Sequence, residues 1–417
     1  MRLKTLLRTG SVGWVLVILL AGLLFFSSGN KDAVIPYWES ITAQSTLILA
    51  VISAVCGAGA AWETARLRES DISTWAPSRT DLRIIGERLV PVAIVGLLAI
   101  FSSLAIFSPG AILDVPGWPN LGVLSAAYAV VLAHISIGYL IGRKLSRLLG
   151  PALMLIGGYF WGFWPAALAD PSWLRHLNGQ GVGDCCRLDQ VPSTRSLGAT
   201  VAFSSGLIVA GLIAITLRHH ARRRLVLASL VSLAGLAGAV VLAVPLGFTG
   251  DQARDRSLLW CTGSRPQVCL WPEQRARADD FVHWSHEASR ELRIVGVEPA
   301  ESIEFAMVAP DRDSVLAAAA TSGISFDPPS CAQEPYAEYP GDEAALVIYP
   351  WLALVAGAQP RSLTWPEEAV QLAQKVREMP PASQKQWFDR NMRSVRDCSV
   401  EPELSPAAYA SSKRGAS

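Results

Sequence analysis

The sequence lacks the short motifs that accompany several kinds of enzyme. It contains no G-x-x-x-x-G-K-[ST] segment for nucleotide hydrolysis, no G-x-S-x-G segment for a serine hydrolase and no C-x-x-C pair for zinc. His286 and Glu287 begin like the zinc-protease pattern H-E-x-x-H, but Arg290 occupies the position of the second histidine. His283, His286, Glu287 and Arg290 lie at helical spacing and are interpreted as a solvated charged face. We therefore predict a protein that is not an enzyme, with no catalytic, cofactor-binding or metal-binding residues, and that cannot drive transport with ATP by itself.

Charge is scarce in this chain and absent from two long apolar runs. Charged residues make up 17% and hydrophobic residues 51% of the 417 positions, which is too apolar for a soluble globular protein. Residues 197–217 and 225–248 contain no charged residue, and each run exceeds the roughly 20 residues that a membrane-spanning helix needs. Arg218 and the arginines at 222–224 lie between them, and arginines in a short loop stay in the cytoplasm. The second run therefore leads outward, and everything after Phe248 is predicted to be extracytoplasmic.

Five earlier apolar runs complete a predicted polytopic membrane domain over residues 1–249. Its seven transmembrane helices are predicted at about 12–26, 41–62, 89–107, 121–142, 148–169, 197–217 and 225–248. This topology places fifteen basic residues in cytoplasmic segments and four in the short outward loops, as the positive-inside rule requires. The first run is interpreted as a retained span with its amino terminus inside, because a poor cleavage site follows it. The small residues at 57–60 and the pair Gly158 and Gly162 predict close helix packing.

His134 is the strongly polar residue that this topology places within a span. An ionisable side chain at that depth is a functional-site hypothesis by default. Because it lies within about two turns of Arg143, neutral packing or a reach toward the inner interface stays an alternative explanation. We find no paired carboxylates within the predicted spans, so the sequence predicts no proton or sodium relay.

The remaining residues, 250–417, are predicted to form an α+β extracytoplasmic domain. Its acidic residues outnumber its basic ones, which argues against a nucleic-acid partner. Helices are predicted at about 272–292, 366–379 and 383–398, with a short strand at 303–309. The apolar stretch 344–358 is short for a span and contains Pro350, so it is predicted to be a core helix.

Six of the seven cysteines fall outside the membrane on this topology, where oxidising conditions favour disulfides; only Cys56 lies in a span. Cys261 and Cys269 bracket a turn-rich loop that a disulfide can close, which makes Cys331 and Cys398 the complementary pair. Four cysteines allow three connectivities, so the other two stay open. The adjacent cysteines at 185 and 186 could pair only with strain.

Two short motifs carry a family resemblance. The first is Val268-Cys269-Leu270-Trp271-Pro272-Glu273, and the second comprises Gln384, Trp387 and Cys398 within residues 381–398. In these motifs and in its layout the chain resembles a group of actinobacterial multi-pass membrane proteins. These proteins look similar to permease subunits of ABC-type exporters and end in an extracytoplasmic domain of unassigned function. The resemblance implies a role in transport with a separate ATPase partner, and it carries over no ligand-binding residue.

From these observations we expect an integral, multi-pass plasma-membrane protein with a cytoplasmic amino terminus and an extracytoplasmic carboxy-terminal domain. Its expected function is that of a permease-like or accessory subunit of an ABC-type transporter. The alternatives are a membrane-anchored binding or sensing protein and a membrane-bound metallohydrolase that uses His286 and Glu287. The expected partners are the lipid bilayer and an ABC-type ATPase subunit.

Overall fold

The computed structural model describes residues 10–30, 35–70, 80–108, 115–183, 185–217, 221–308, 310–326, 329–333, 339–362 and 365–409. The chain divides into two compact units, Met1–Arg254 (unit 1) and Asp255–Ser417 (unit 2). The boundary lies a few residues beyond the predicted one at 249–250, because strand β2 (Asp251–Ala253) pairs with strand β1 (Gln190–Pro192) and so belongs to unit 1. Arg218, which the sequence assigns to a cytoplasmic loop, lies outside the described residues.

Unit 1 is a bundle of eight described helices: α1 (Val12–Asn30), α2 (Trp38–Gln44), α3 (Leu49–Glu69), α4 (Asp81–Phe107), α5 (Leu121–Gly142), α6 (Leu149–Ala167), α7 (Thr194–Thr216) and α8 (Ala221–Ala243). Among the described residues, four helical segments are long and apolar enough to cross a membrane: Leu82–Phe107, Leu121–Gly142, Thr194–Thr216 and Ala221–Leu246. The bent pair of α2 and α3 raises the number of spans to five, while Val12–Phe26 is a shorter apolar helix. The protein is therefore a helical membrane protein with four or five candidate spans.

The predicted span 41–62 is bent in the structure. Helices α2 and α3 meet at an angle of 46°. Three hydroxyl groups at the bend donate to carbonyls three or four residues earlier: Thr42 to Trp38, Ser45 to Thr42, and Thr46 to Ala43. Such bonds compete with the regular helix ladder and bend helices. Ser103 Oγ of α4 then donates to the Ser45 carbonyl at 2.7 Å, which satisfies a backbone group that the bend leaves free.

Helix α3 lies at the centre of unit 1, and nearly all of its side chains are buried. Small residues allow its neighbours to approach it closely. A Cβ atom on Gly138 of α5 would overlap the Gly57 carbonyl of α3, and one on Gly162 of α6 would lie 2.7 Å from the Ala50 Cα atom. Close backbone approach of this kind drives helix association where the lipid is as apolar as the side chains.

Helix α8 is peripheral. It packs along α7, where Gly206 and Gly235 allow their backbones to meet. Of its side chains only Ala239 and Ala243 are buried. The bilayer must therefore cover most of its surface.

The described residues of unit 2 form a small sheet and five α-helices. Strands β3 (Trp260–Thr262) and β4 (Gln267–Leu270) pair antiparallel, and β5 (Ser302–Glu304) pairs parallel to β4. The helices are α9 (Ala278–Ile294), α10 (Arg312–Thr321), α11 (Gly341–Val355), α12 (Glu367–Arg377) and α13 (Pro381–Arg396). The predicted helix start at Pro272 is instead a 3-10 turn, Pro272–Arg277, that leads into α9.

Large aromatic side chains fill the core of unit 2. Trp351 and Trp387 are fully buried and Trp271 is nearly so. The Trp351 indole N–H donates to Gln384 Oε1 at 3.1 Å, and the two buried indoles on α11 and α13 meet edge to face at 5.5 Å. Helix α11 corresponds to the apolar stretch predicted at 344–358, and its buried side chains make it the central helix of this core.

Candidate functional site

The loop between α6 and α7 reaches back into the helix bundle of unit 1. Pro165 of α6 has no N–H, so the Trp161 carbonyl lacks its usual intrahelical donor. The Asn178 amide supplies one, with Nδ2 lying 2.9 Å from Trp161 O and 3.1 Å from Gly162 O. Asn178 Oδ1 accepts from the Gln180 N–H at 3.0 Å. The Asn178 amide nitrogen therefore fixes the loop against α6.

His176 ties the same loop to α7 and to the segment that follows α8. Its side chain is fully buried. Nε2 donates to the Gly247 carbonyl at 3.0 Å, so Nδ1 accepts from the Ser196 hydroxyl at 2.8 Å. Burial lowers the pKa of His176, the Gly247 hydrogen bond opposes this shift, and the charge of Arg175 adds to it. The imidazole is therefore neutral near pH 7. Nothing in the sequence distinguishes His176 from other loop residues.

A buried carboxylate, that of Glu63, lies near the carboxyl end of α3. Glu63 is 2% exposed and accepts from the Ser11 N–H, at the start of α1, at 2.6 Å. Its second oxygen lies 3.9 Å from Arg66 Nη1. Sequence reasoning missed this residue, because Glu63 falls immediately after the predicted span and reads there as part of a polar loop.

A cavity of about 190 Å³ lies between α5, α6, α7 and the inserted loop. It is lined by three polar residues, His134, Asn178 and Ser204, and by Val130, Ala133, Ile137, Trp161, Leu177, Phe203 and Leu207. Ile137, Phe203 and Leu207 are only half-buried, so the cavity borders the surface of the bundle. We name it the α5–α7 cavity.

His134, the intramembrane residue singled out from the sequence, lines this cavity. It is 4% exposed, and Nδ1 donates to the Val130 carbonyl at 2.9 Å. The imidazole packs on Gly158, where a Cβ atom would lie 3.4 Å from its Cδ2. The bond to Val130 points one turn back toward Leu121, away from Arg143. His134 therefore does not reach toward Arg143 but packs in the cavity wall, with Nδ1 bonded to its own helix.

Ser204 completes the polar lining and was not singled out from the sequence. It lies on α7 and is 1% exposed. Its hydroxyl forms no hydrogen bond to any residue that the structure describes. A serine within an apolar helix usually bonds to its own backbone, so the sequence offered no signal that this one faces a cavity.

A second groove of about 210 Å³ lies between α4, α5 and α7. Its lining is almost entirely apolar. The hydroxyl of Ser136 in this groove is already bonded to the Leu132 carbonyl at 2.9 Å. Tyr139, which also lines the groove, accepts from Arg143 Nη1 at 3.4 Å.

Disulfides brace unit 2 at two places. Cys261 and Cys269 are joined across directly opposite positions of β3 and β4. Cys331 and Cys398 are joined over a sequence separation of 67 residues. Both of these pairs match the predicted connectivity. In unit 1 the structure also joins Cys185 to Cys186, across a cis peptide bond, and Cys56 is free and buried.

Residues 268–398 match the family model of DUF7224, a domain of unknown function. The match covers less than half of the chain, and it begins in β4 and ends at Cys398. No curated protein and no solved structure matches the chain.

The two sequence motifs lie at the ends of the DUF7224 region and have structural roles. Trp271 N donates to Gln274 Oε1 at 2.8 Å, which closes a capping box. Gln274 Nε2 donates in turn to the carbonyls of Phe305 and Met307, tying the motif to the end of β5. In the second motif, Gln384 and Trp387 lie in the core. The motifs therefore specify the fold of this region.

The charged face predicted on α9 is only partly solvated. His283 and Arg290 are exposed, but Glu287 accepts a hydrogen bond from Arg312 of α10, whose other nitrogen lies 3.4 Å from Gly357 O. His286 faces the disulfide-closed turn, where its Nε2 lies 3.5 Å from the position of a Cβ on Gly263. Within the described ranges no group of three His, Cys, Asp or Glu side chains is placed to hold a metal ion.

Proposed function

We propose that this protein is a plasma-membrane subunit, permease-like or accessory, of an ABC-type transporter. The α5–α7 cavity carries this proposal. A helix bundle that only anchors an outer domain needs no polar groups in its interior, whereas a transport subunit must offer some contact to its cargo. Because the chain has no nucleotide-hydrolysis motif, an ATPase subunit would have to supply the energy.

In this proposal all seven apolar segments cross the bilayer. The two segments beyond the five candidate spans are α1 and α6, each of 19 residues. At 1.5 Å per residue each is about 28 Å long, close to the hydrocarbon thickness. Both expose large apolar side chains, among them Phe25 at 77% and Ile156 at 73%. A bilayer around these helices would cover that surface.

The positive-inside rule supports an inner location for the end of the bundle where α3 and α5 terminate. Charged groups link the helices there. Arg147 pairs with Glu69 of α3, and Arg68 donates to the Arg143 carbonyl at 3.1 Å. Arg143 itself donates to the Ala214 carbonyl of α7 at 3.0 Å. We propose this basic end as the contact surface for the ATPase.

Copurification tests the transport assignment. The full chain, extracted in mild detergent from its native membrane, is expected to retain an ATPase subunit. Arg147→Glu reverses a charge at the proposed inner end and should weaken that association. Arg187→Glu makes the same change in the loop between α6 and α7 and should leave it intact. Preparations of the unmodified chain that repeatedly lack an ATPase would contradict the assignment.

Reporter fusions test the orientation separately. A reporter that is active only outside the cytoplasm, fused after Ser417, is expected to be active. The same reporter fused within residues 218–220 should be silent, because that loop is proposed to lie inside. The reverse pattern would refute both the orientation and the extracytoplasmic location of unit 2.

A second candidate function is ligand binding or sensing by unit 2. One observation favours it: Phe326, Tyr349 and Trp365 stack in series, with ring centroids 3.9 and 5.2 Å apart, and Trp365 is 36% exposed. Stacked aromatic rings at a surface are a frequent platform for ligands. A shift in the melting temperature of the full chain on adding a ligand, abolished by Trp365→Ala, would favour this role over transport.

A further inference from the structure

Two polar atoms in the α5–α7 cavity have no hydrogen-bond partner among the residues that the structure describes. Because Nδ1 of His134 donates to the Val130 carbonyl, a neutral imidazole leaves Nε2 without a proton, able only to accept. The hydroxyl of Ser204 is free to donate and to accept. His134 and Ser204 both line the cavity, so these two atoms are left for a group that binds there.

The walls and the volume of the cavity limit what can enter. Apart from His134, Asn178 and Ser204 the lining is apolar, and the amide nitrogen of Asn178 already donates to two carbonyls. An apolar cavity of roughly 150 Å³ holds benzene. The cavity volume of about 190 Å³ therefore suits an apolar body slightly larger than benzene.

The free atoms select the polar group of the ligand. Nε2 of His134 needs a donor, so a ketone, an ester or a carboxylate cannot satisfy it. An alkane leaves it unsatisfied, and a charged ammonium group would lose its hydration in an apolar cavity. A hydroxyl group meets both requirements, since its hydrogen can go to Nε2 while its oxygen accepts from Ser204.

We propose that the α5–α7 cavity binds a lipid-soluble alcohol. The ligand's O–H donates to His134 Nε2, its oxygen accepts from the Ser204 hydroxyl, and its apolar body packs against Phe203 and Leu207. Those two side chains are half-buried at the edge of the cavity, so the ligand enters from the bilayer. This inference names the class of cargo and rests on the proposed transport function.

Photolabelling of the purified full chain in lipid nanodiscs tests the proposal. The probe is an eight-carbon alcohol that carries a diazirine, and the matched control probe has a methyl group in place of the hydroxyl. The alcohol is expected to label residues of the cavity wall saturably, in competition with 1-octanol. The control probe should label them about five- to tenfold less, the loss expected for one or two hydrogen bonds.

Three variants locate the polar contact. Ser204→Ala and His134→Leu are each expected to weaken saturable labelling about three- to tenfold. Ser125→Ala is the matched control on α5, because its hydroxyl already bonds to the Leu121 carbonyl at 2.6 Å and its side chain is exposed. Ser204→Ala removes a single atom, so it keeps the test decisive even where His134→Leu fails to fold.

Equal labelling of the cavity by the two probes would overturn the proposal. Labelling spread over the lipid-facing surface, or unchanged by Ser204→Ala, would do the same. The experiment needs no second protein. Its failure is therefore distinct from that of the transporter assignment, which depends on recovering an ATPase.

Discussion

The interiors of the two units are built in opposite ways. In unit 1 the central helix α3 is rich in alanine and glycine, and its neighbours approach until backbone touches backbone. In unit 2 the core is made of large side chains, among them three buried indoles, and two disulfides cross-link the unit. In lipid, burying a large apolar side chain gains little, because the surroundings are already apolar, so contact area must come from close fit. In water each such side chain contributes about 1.5–3 kcal/mol on burial. This difference between the two interiors is the one expected if unit 1 is surrounded by lipid and unit 2 by water.

Removal of a buried indole should produce the largest effect, and it should be confined to unit 2. Trp387→Ala is expected to destabilise unit 2 by about 3–5 kcal/mol, since it removes a fully buried ring and leaves a cavity. Hydrogen exchange on the full chain, resolved by peptide, can follow each unit separately. Trp260→Ala, a change to an indole that is 44% exposed, serves as the control and should cost far less. Equal effects would contradict the assignment of Trp387 to the core.

The two disulfides of unit 2 should contribute differently to its free energy of unfolding, because they close loops of different length. Replacing Cys331 and Cys398 by serine is expected to cost about 4 kcal/mol, because that bond closes 67 residues of separation. Replacing Cys261 and Cys269, separated by 8 residues, should cost about 2.5 kcal/mol. Chemical unfolding of the full chain, monitored within unit 2, measures both. A larger loss from the shorter loop would show that chain entropy does not dominate here.

The close backbone contacts of unit 1 should tolerate no added side chain. Gly138→Leu would push α5 away from the Gly57 carbonyl and is expected to cost about 3 kcal/mol. Gly157→Leu is the matched control, because a Cβ at that helical position meets nothing within 4 Å. Thermal unfolding in detergent compares the two variants. A stable Gly138→Leu protein would mean that α3 and α5 do not pack as described.

The smallest predicted effect is a pH dependence confined to unit 1. Burial lowers the pKa of His176 in the folded state, so the unfolded chain binds a proton more readily. The contribution of the neutral His176 side chain to the stability of unit 1 is complete above the ordinary histidine pKa of about 6.5. It is lost as the pH falls below that value. The slope cannot exceed about 1.4 kcal/mol per pH unit for one group. Melting temperatures between pH 7.5 and 5.5 should show the loss. His176→Asn should flatten it, whereas His283→Asn, at an exposed position, should not.

Hydropathy and charge predicted which segments of unit 1 are helical, since apolar runs and arginine-rich turns are properties of single segments. They could not predict the bend between α2 and α3, because it depends on hydroxyls that bond to their own backbone and on Ser103 from another helix. The core helix of unit 2 was predictable from its length and from Pro350. Its long-range partners were not.

The candidate site was only half predictable. His134 stands out in an apolar run because its side chain is ionisable. Ser204 does not, since serine is common in membrane helices and only the fold shows that its hydroxyl lies against a cavity. Asn178 could be placed only once the gap that Pro165 leaves in the backbone bonding of α6 was known.

The bond from Asn178 to α6 has a consequence for the chemical ageing of the chain. Asn178 precedes Gly179, and an asparagine followed by glycine loses its amide nitrogen more readily than other asparagines. In the folded protein the amide is held by two carbonyls and the following residue is fixed at a φ of 84°. Deamidation before insertion would instead aim a carboxylate at those carbonyl oxygens, where it could only repel them. A chain deamidated at Asn178 would thus lack the two hydrogen bonds that hold this loop against α6.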